Sequence, residues 1–157
     1  MTAHTIAWLA DSRRDISSYI ESMEYLGFST AFHSHAGPAI EDFLRGNKYS
    51  LIVVSPDIAP GLKCDDPVIT RIMSSGAKND YWKIGLRVVE LTHSSDSANR
   101  ETPIVVAGFH DPEYSVLCPK ARETFLRAGA TEYVNLVAQK FDFNAFHRRL
   151  EQLARKV

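Results

Sequence analysis

The chain has 157 residues, of which 45% are hydrophobic and 24% are charged. These proportions are ordinary for a soluble globular protein, and the length suits one domain over residues 1–157 with a substantial buried core. The formal net charge of -1 excludes an overall electrostatic attraction to nucleic acid or to an anionic membrane.

Targeting and redox features are also sparse. No apolar run is long enough to span a bilayer, and residues 1–4 do not begin a signal-peptide pattern, so we expect no membrane contact. The two cysteines, Cys64 and Cys118, lie far apart and outside any paired metal-binding spacing. We therefore expect a cytoplasmic protein with reduced thiols.

Short apolar runs alternate along the chain with amphipathic stretches. Apolar runs without polar alternation are typical of strands that are buried on both faces of a parallel sheet. Such runs predict five strands, at 5–10, 29–33, 49–54, 103–107 and 131–136. Apolar residues at helical spacing predict five main helices, at 15–26, 38–44, 85–93, 119–128 and 143–156. A strand followed each time by a helix favours parallel pairing through right-handed crossovers. The expected fold is an α/β doubly wound five-stranded parallel sheet, flavodoxin-like, with strand order 2-1-3-4-5.

One connection is too long for a minimal domain of this class. Residues 60–82 follow the third strand, and connections of this length are uncommon unless they have a function. A short helix is predicted within this insertion at 68–73, and a polar tip at 74–80. We expect the insertion to carry a distinctive role, either covering the neighbouring site or presenting a surface to a partner.

Several motifs resemble, in their order and spacing, the receiver domains of response regulators, which are the phosphorylated modules of two-component signalling. The most specific is AGATEYV at 128–134, which is similar to the family's AGADDYL. The weaker matches are Leu26-Gly27-Phe28, Gly85-Leu86, the strand opening at 102–106 and Phe141-Asp142. The resemblance implies the same fold and a signalling role that depends on protein contacts, without enzymatic activity.

The resemblance also implies a phosphorylation site, and the chain departs from it. Receivers hold Mg²⁺ with an acidic pair, phosphorylate an aspartate, and contact the phosphoryl oxygens with a Thr or Ser and a Lys. These positions fall here on Ala10 and Asp11, Ser55, Gly108 and Leu136. Only Asp11 keeps its functional group, and a neutral serine hydroxyl cannot form an acyl phosphate. We therefore predict a degenerate phosphoacceptor pocket, a pseudo-receiver that acts without phosphorylation, metal or cofactor.

Two other interpretations stay open. Asp57 lies two residues after Ser55 and would face the same side if the strand continued, which would make it a displaced acceptor in a working phospho-receiver, with Lys140 as a displaced lysine. Pro56 disfavours that continuation. The second interpretation is a small nucleotide-processing enzyme of the TIR type, a family with the same sheet order and a similar Ser-Pro after a strand. Its NAD-cleaving members need a glutamate, for which Glu90 is the nearest candidate.

Residues with metal-binding side chains are scattered through the predicted loops. Without a fixed ligand spacing they indicate solvated side chains more than a metal site. They are His33, His35, Cys64, Asp65, Asp66, His110 and Asp111.

By resemblance, the partner surface is formed by the fourth helix, fifth strand and fifth helix of a receiver, which map here to 119–126, 131–136 and 143–156. We expect a protein partner or a homodimer at this face, through Tyr133, His147, Arg148 and Arg155. The chain ends just past its last predicted helix, which fits either a whole protein or the amino-terminal, regulatory part of a longer regulator.

Overall fold

The computed structural model describes residues 4–62, 64–76, 81–108, 120–136 and 142–156. The strands are β1 (Thr5–Leu9), β2 (Ser29–His33), β3 (Leu51–Val54), β4 (Ile104–Gly108) and β5 (Glu132–Asn135). The helices are α1 (Arg13–Tyr25), α2 (Ala36–Arg45), α3 (Pro67–Ser74), α4 (Trp82–Thr92), α5 (Ala121–Ala128) and α6 (Phe143–Ala154). Of these helices, none is both long enough and apolar enough to cross a membrane.

The strands form one parallel sheet in the order 2-1-3-4-5, which confirms the predicted fold class. In register, Leu9 lies beside Val54, and Val54 lies beside Val106. At the far edge Gly108 pairs with Asn135. The carboxyl ends of β1, β3, β4 and β5 therefore meet at one edge of the sheet, which is where proteins of this fold class place their functional groups.

The sheet separates two apolar layers, because successive side chains of a strand point to opposite faces. On β1, Ala7 and Leu9 face the layer that α2, α3, α4 and α5 cover. Ile6 and Trp8 face the other layer, which α1 and α6 cover. The inner strands are almost fully buried, because helices cover both faces of the sheet.

Some predicted boundaries shift for local reasons. Helix α4 begins at Trp82, earlier than predicted, and the Trp82 ring packs edge-on against Phe125 at 6.1 Å between centroids. Strand β3 begins at Leu51, later than predicted. The Tyr49 N–H donates its hydrogen bond to the Asn99 side chain, at 2.8 Å, and not to a neighbouring strand. The predicted helix in the insertion is confirmed as α3. Residue 119 and the part of the polar tip at 77–80 lie outside the described residues.

The insertion is anchored to the domain through Asp66. Its carboxylate caps α3 by accepting from the Ile69 N–H at 3.1 Å. The same carboxylate accepts two hydrogen bonds from the Arg87 guanidinium on α4, at 3.0 and 3.1 Å, a bidentate geometry that is among the stronger ion pairs. Burial alone would raise the pKa of Asp66, but the hydrogen bonds from Arg87 and Ile69 lower it below its ordinary value. Ile69 itself is buried in the core.

We predict that Asp66→Ala lowers the free energy of unfolding by about 2–3 kcal/mol, because it removes a helix cap and leaves a partly buried arginine without its partner. Asp65→Ala removes the same charge from the adjacent, exposed position and should change stability by less than about 0.5 kcal/mol. Urea denaturation of the two variants measures the difference. Equal losses would show that α3 is not held by this contact.

Candidate functional site

The end of β3 lies directly beside the end of β1. The Ser55 N–H donates to the Leu9 carbonyl at 2.7 Å, so the chain stays paired for one residue beyond β3. Ala10 is buried at 5% exposure, whereas Asp11 is exposed. The structure therefore brings three of the predicted site residues together at the carboxyl edge of the sheet.

The next two strands bring Gly108 and Leu136 to the same edge. Gly108 is the last residue of β4, and its carbonyl accepts from the Leu136 N–H at 2.9 Å. Neither residue has a side chain with a hydroxyl or a cation. At these two positions the edge therefore has no side-chain group that could bind an anion or neutralise its charge.

Ala10, Ser55 and Leu136 line a small cavity whose volume is about 10 Å³. Its remaining walls are Trp8, Leu9, Ile16, Tyr19, Val53, Ala107 and Phe146. A cavity of this size is close to the smallest that holds one water molecule. Burial raises the pKa of the Tyr19 phenol, which keeps that wall uncharged. The Trp8 indole N–H is buried and has no hydrogen-bond partner among the described residues. The cavity therefore suits neither a metal ion nor a phosphoryl group.

The segment after β3 folds against the remaining acidic residue. The Ala59 N–H donates to Asp11 Oδ1 at 3.4 Å. The carbonyls of Ala59 and Pro60 accept from the N–H groups of Ala36 and Gly37, both at 2.8 Å. These are the first N–H groups of α2, which would otherwise be free to bind an anion. Asp11 therefore lies beside backbone groups that are already paired, and its one carboxylate does not by itself supply the oxygen-rich coordination that Mg²⁺ needs.

Asp57 lies in a bend and not in a continued strand, since β3 ends at Val54. Pro56 precedes it and packs against α4 at Gly85, where an added Cβ would lie 2.4 Å from the Pro56 carbonyl oxygen. The strand continuation that would have aligned Asp57 with Ser55 is therefore not present. Lys140, the other half of that interpretation, lies outside the described residues.

Histidine and acidic residues near β2 form a structural network. His33 Nε2 lies 2.8 Å from Asp42 Oδ2, and the same carboxylate accepts from the Tyr49 hydroxyl. Burial raises the pKa of Asp42, but the hydrogen bonds from Tyr49, His33 and Asn47 lower it overall. Burial and Asp42 together raise the pKa of Tyr49 to about 12. This network ties β2, α2 and the segment before β3 together.

The other metal-ligand candidates do not assemble. Within the described ranges, no group of three histidine, cysteine or acidic side chains could hold a metal ion. Cys64 is a free thiol, and burial raises its pKa. His110, Asp111 and Cys118 lie outside the described residues. Glu90, the glutamate of the nucleotide-processing interpretation, is an exposed residue of α4 whose carboxylate lies 3.7 Å from the Arg87 guanidinium.

The structure places the four predicted partner-face residues on different elements. Tyr133 is 8% exposed and packs beside Phe125 in the layer under α5, at 5.7 Å between ring centroids. His147 packs against Tyr19 in the opposite layer, at 5.6 Å. Tyr133 therefore offers little side-chain surface to a partner.

The arginines of α6 differ in how far they are engaged within the chain. Arg155 lies 4.7 Å from the centre of the Phe28 ring and forms an ion pair with Glu151. Arg149 pairs with Glu132 on β5. Arg148 is exposed. Of these arginines, Arg148 has the side chain most available to a partner.

Three residues that position this site were not identified as such from the sequence. In the sequence, Trp8 is one of several apolar residues in a predicted strand. Nothing in the pattern shows that its N–H is buried without a partner among the described residues. Gly85 belongs to a recognised motif, but its close approach to Pro56 depends on how α4 crosses the sheet. Arg87 reads as an ordinary surface arginine of an amphipathic helix, and only the docking of α3 shows its role.

Three solved structures show the same architecture. A signal receiver domain of a two-component histidine kinase from Clostridium thermocellum aligns at a TM-score of 0.68 with 12% identity, over 98% of this chain and 99% of that one. The non-phosphorylated HemR receiver domain from Leptospira biflexa aligns at 0.63 with 15% identity, over 98% and 96%. A response regulator from Burkholderia pseudomallei, with a phosphorylated aspartic acid, a calcium ion and citrate, aligns at 0.62 with 12% identity, over 96% and 68%.

These similarities concern structure, at low sequence identity. No protein-family model matches the chain. No curated protein matches its sequence either. The chain therefore has the flavodoxin-like fold of receiver domains, which confirms the expected resemblance at the level of the fold.

We predict that millimolar Mg²⁺ does not raise the melting temperature above the value in NaCl of equal ionic strength. A metal that binds the native state must stabilise it, and a single carboxylate at Asp11 is too weak a ligand set. Thermal melts of the wild type and of Asp11→Ala should show the same response to Mg²⁺. A rise in the wild type that Asp11→Ala abolishes would reveal a metal site at this edge.

Proposed function

We propose that this chain is a pseudo-receiver: a single domain that signals by binding another protein chain, without phosphorylation. The observation that carries the proposal is the cavity at the carboxyl edge of the sheet. Ala10, Ser55 and Leu136 enclose only about 10 Å³ there, between apolar walls. Phosphorylation of the receiver type forms an acyl phosphate, so it requires a carboxylate acceptor together with cations that spread the charge of the phosphoryl group. The Burkholderia response regulator has a phosphorylated aspartic acid and a calcium ion. The chemistry of the residues here supports neither.

The paired backbone over this edge supports the same proposal. Ala59 and Pro60 occupy the first N–H groups of α2, and the Ala59 N–H contacts Asp11. A switch that responds to an anion needs free donors or cations at the place where the anion arrives. Because these donors already have partners, the edge is held in one arrangement, and the information that the domain transmits is whether a partner is bound.

The insertion contributes surface to such a contact. Helix α3 is anchored through Asp66 and Arg87, so the residues around it are held in place. Met73, on α3, is 37% exposed. Apolar side chains held rigidly at a surface favour binding, because little conformational entropy is lost when a partner covers them.

We predict that acetyl phosphate with Mg²⁺ leaves the mass of the intact chain unchanged. No aspartate replaces Ser55 in the strand register, and Gly108 and Leu136 supply neither the hydroxyl nor the cation. Intact-mass spectrometry of the wild type and of Asp57→Ala measures the outcome, with hydroxylamine treatment to reveal any acyl phosphate.

The result that contradicts the proposal is specific. A wild type that gains one hydroxylamine-sensitive phosphoryl group, combined with an Asp57→Ala variant that gains none, would establish Asp57 as a displaced acceptor. The domain would then be a working phospho-receiver.

A further inference from the structure

A groove opens between α2 and the start of the insertion, and we call it the α2–insertion groove. Residues of α2 form one wall, residues 64–66 form the other, and Leu91 of α4 completes the lining. Its volume is about 480 Å³, which is within the usual size range of binding pockets. It shares no lining residue with the cavity beside Ser55, so it is a separate site.

Both walls of the α2–insertion groove are held in place by contacts within the chain. On α2, the Gly37 N–H donates to the Pro60 carbonyl at 2.8 Å. An added Cβ at Gly37 would lie only 3.3 Å from the Cys64 backbone, so a side chain at this position would push the two walls apart. On the insertion side, Asp66 is fixed by its two hydrogen bonds from Arg87. A groove that is formed before binding loses little conformational entropy when a partner enters it.

Apolar side chains make up much of the lining. Ile40, Leu44 and Leu91 are half-buried, so part of each side chain is still open to solvent. Ile40 and Cys64 also pack against the core layer beneath them. Burial raises the pKa of the Cys64 thiol, so the thiol is uncharged at neutral pH and acts as a small apolar group. Apolar side chains of a partner can therefore be buried here without the cost of desolvating a charge.

The charged residues of the lining are mainly acidic. Glu41, Asp65 and Asp66 contribute three carboxylates, whereas Arg45 contributes the one guanidinium. Glu41 and Arg45 pair with each other at 3.4 Å on the exposed surface of α2. Asp65 is exposed, and within the described ranges it has no ion-pair partner. The rim of the groove therefore has a net negative charge, with Asp65 available to a cation.

The walls and the charge together indicate the kind of partner. The longer wall is the helix α2, whose backbone groups are paired within the helix, so a partner cannot bind here by adding a strand to a sheet. Contact through side chains is left, as when an amphipathic helix lies in an apolar groove. The negative rim favours a helix whose apolar stripe is flanked by Lys or Arg, and it repels acidic segments.

We propose that the α2–insertion groove binds a basic amphipathic helix of a partner protein. The apolar side chains of that helix lie against Ile40, Leu44 and Leu91, and a Lys or Arg beside them pairs with Asp65 and Glu41. The inference rests on the proposed function, because it names the surface and the partner chemistry of the proposed protein contact. The apolar contact supplies most of the affinity, and the rim selects basic over acidic partners.

Titration of the ¹⁵N-labelled full chain with synthetic peptides, followed by NMR, tests the proposal. The probe is a peptide of about 15 residues with leucines at helical spacing and lysines at the other positions. One control peptide has glutamate in place of every lysine, and another has serine in place of every leucine. The probe should bind with a dissociation constant below about 1 mM and shift the signals of Ile40, Leu44 and Leu91. Neither control peptide should bind.

Charge-reversal variants locate the binding to the groove. Glu41→Lys combined with Asp65→Lys should raise the dissociation constant of the probe about tenfold, and this variant should bind the glutamate peptide instead. The matched control combines Glu123→Lys with Glu21→Lys, two exposed positions outside the groove. In each pair of substitutions, one glutamate is paired in the wild type with an arginine four residues later. The control variant should bind the probe as the wild type does, and circular dichroism checks that both variants are folded.

Three results would overturn the proposal. They are a wild type that does not bind the probe, a serine peptide that binds as well as the probe, and a loss of binding that is equal in the two double variants. None of these concerns phosphorylation, which intact mass measures separately. A chain that neither binds the probe nor takes up a phosphoryl group would remove the groove as a binding site and leave the pseudo-receiver proposal standing.

Discussion

The arrangement of the carboxyl edge depends on how the segment after β3 is held. Gly85 on α4 lets the Pro56 carbonyl approach more closely than any side chain would permit. On the other side, the carbonyls of Ala59 and Pro60 take the first N–H groups of α2. A helix amino terminus is ordinarily a place for an anion, and here the chain itself supplies the acceptors. This segment is thus fixed between two helices, and its backbone at Ala59 lies within hydrogen-bond distance of Asp11.

The buried Trp8 N–H has no hydrogen-bond partner among the described residues, and it shows that apolar burial determines the stability of this edge. Leaving a buried donor without an acceptor costs about 1–3 kcal/mol. A buried tryptophan removes roughly 150–250 Å² from water, which at about 25 cal/mol per Å² contributes about 4–6 kcal/mol. Apolar burial therefore outweighs the lost hydrogen bond, and the edge is stable as a hydrophobic structure. A phosphorylation site at the same place would instead need charged groups that are kept apart and stabilised by a metal ion.

Periodicity predicted the elements and the strand order, because both follow from which faces must be buried. It placed Phe146, Leu150 and Leu153 on the inner face of α6, and all three are buried. It could not show what lies against the outer face, and the resemblance that grouped Tyr133 with His147 did not show that Tyr133 is buried. The sequence patterns also could not predict long-range polar contacts. Asn99 is fully buried and bonds to the Tyr49 N–H and the Phe43 carbonyl, yet in the sequence it is one more polar residue in a loop. Such residues depend on the packing of distant segments, which local patterns do not contain.

The cavity at the sheet edge and the outer part of α6 are connected through one side chain. Tyr19 lines the cavity beside Ser55, and its ring also packs against Phe143, Phe146 and His147. A change in packing at either place must move this ring or leave a void, because protein interiors are too dense to absorb the difference elsewhere. Tyr19 therefore spans the distance from the cavity to α6 by apolar contacts alone. These contacts do not involve the groups that Ala10, Ser55, Gly108 and Leu136 have replaced.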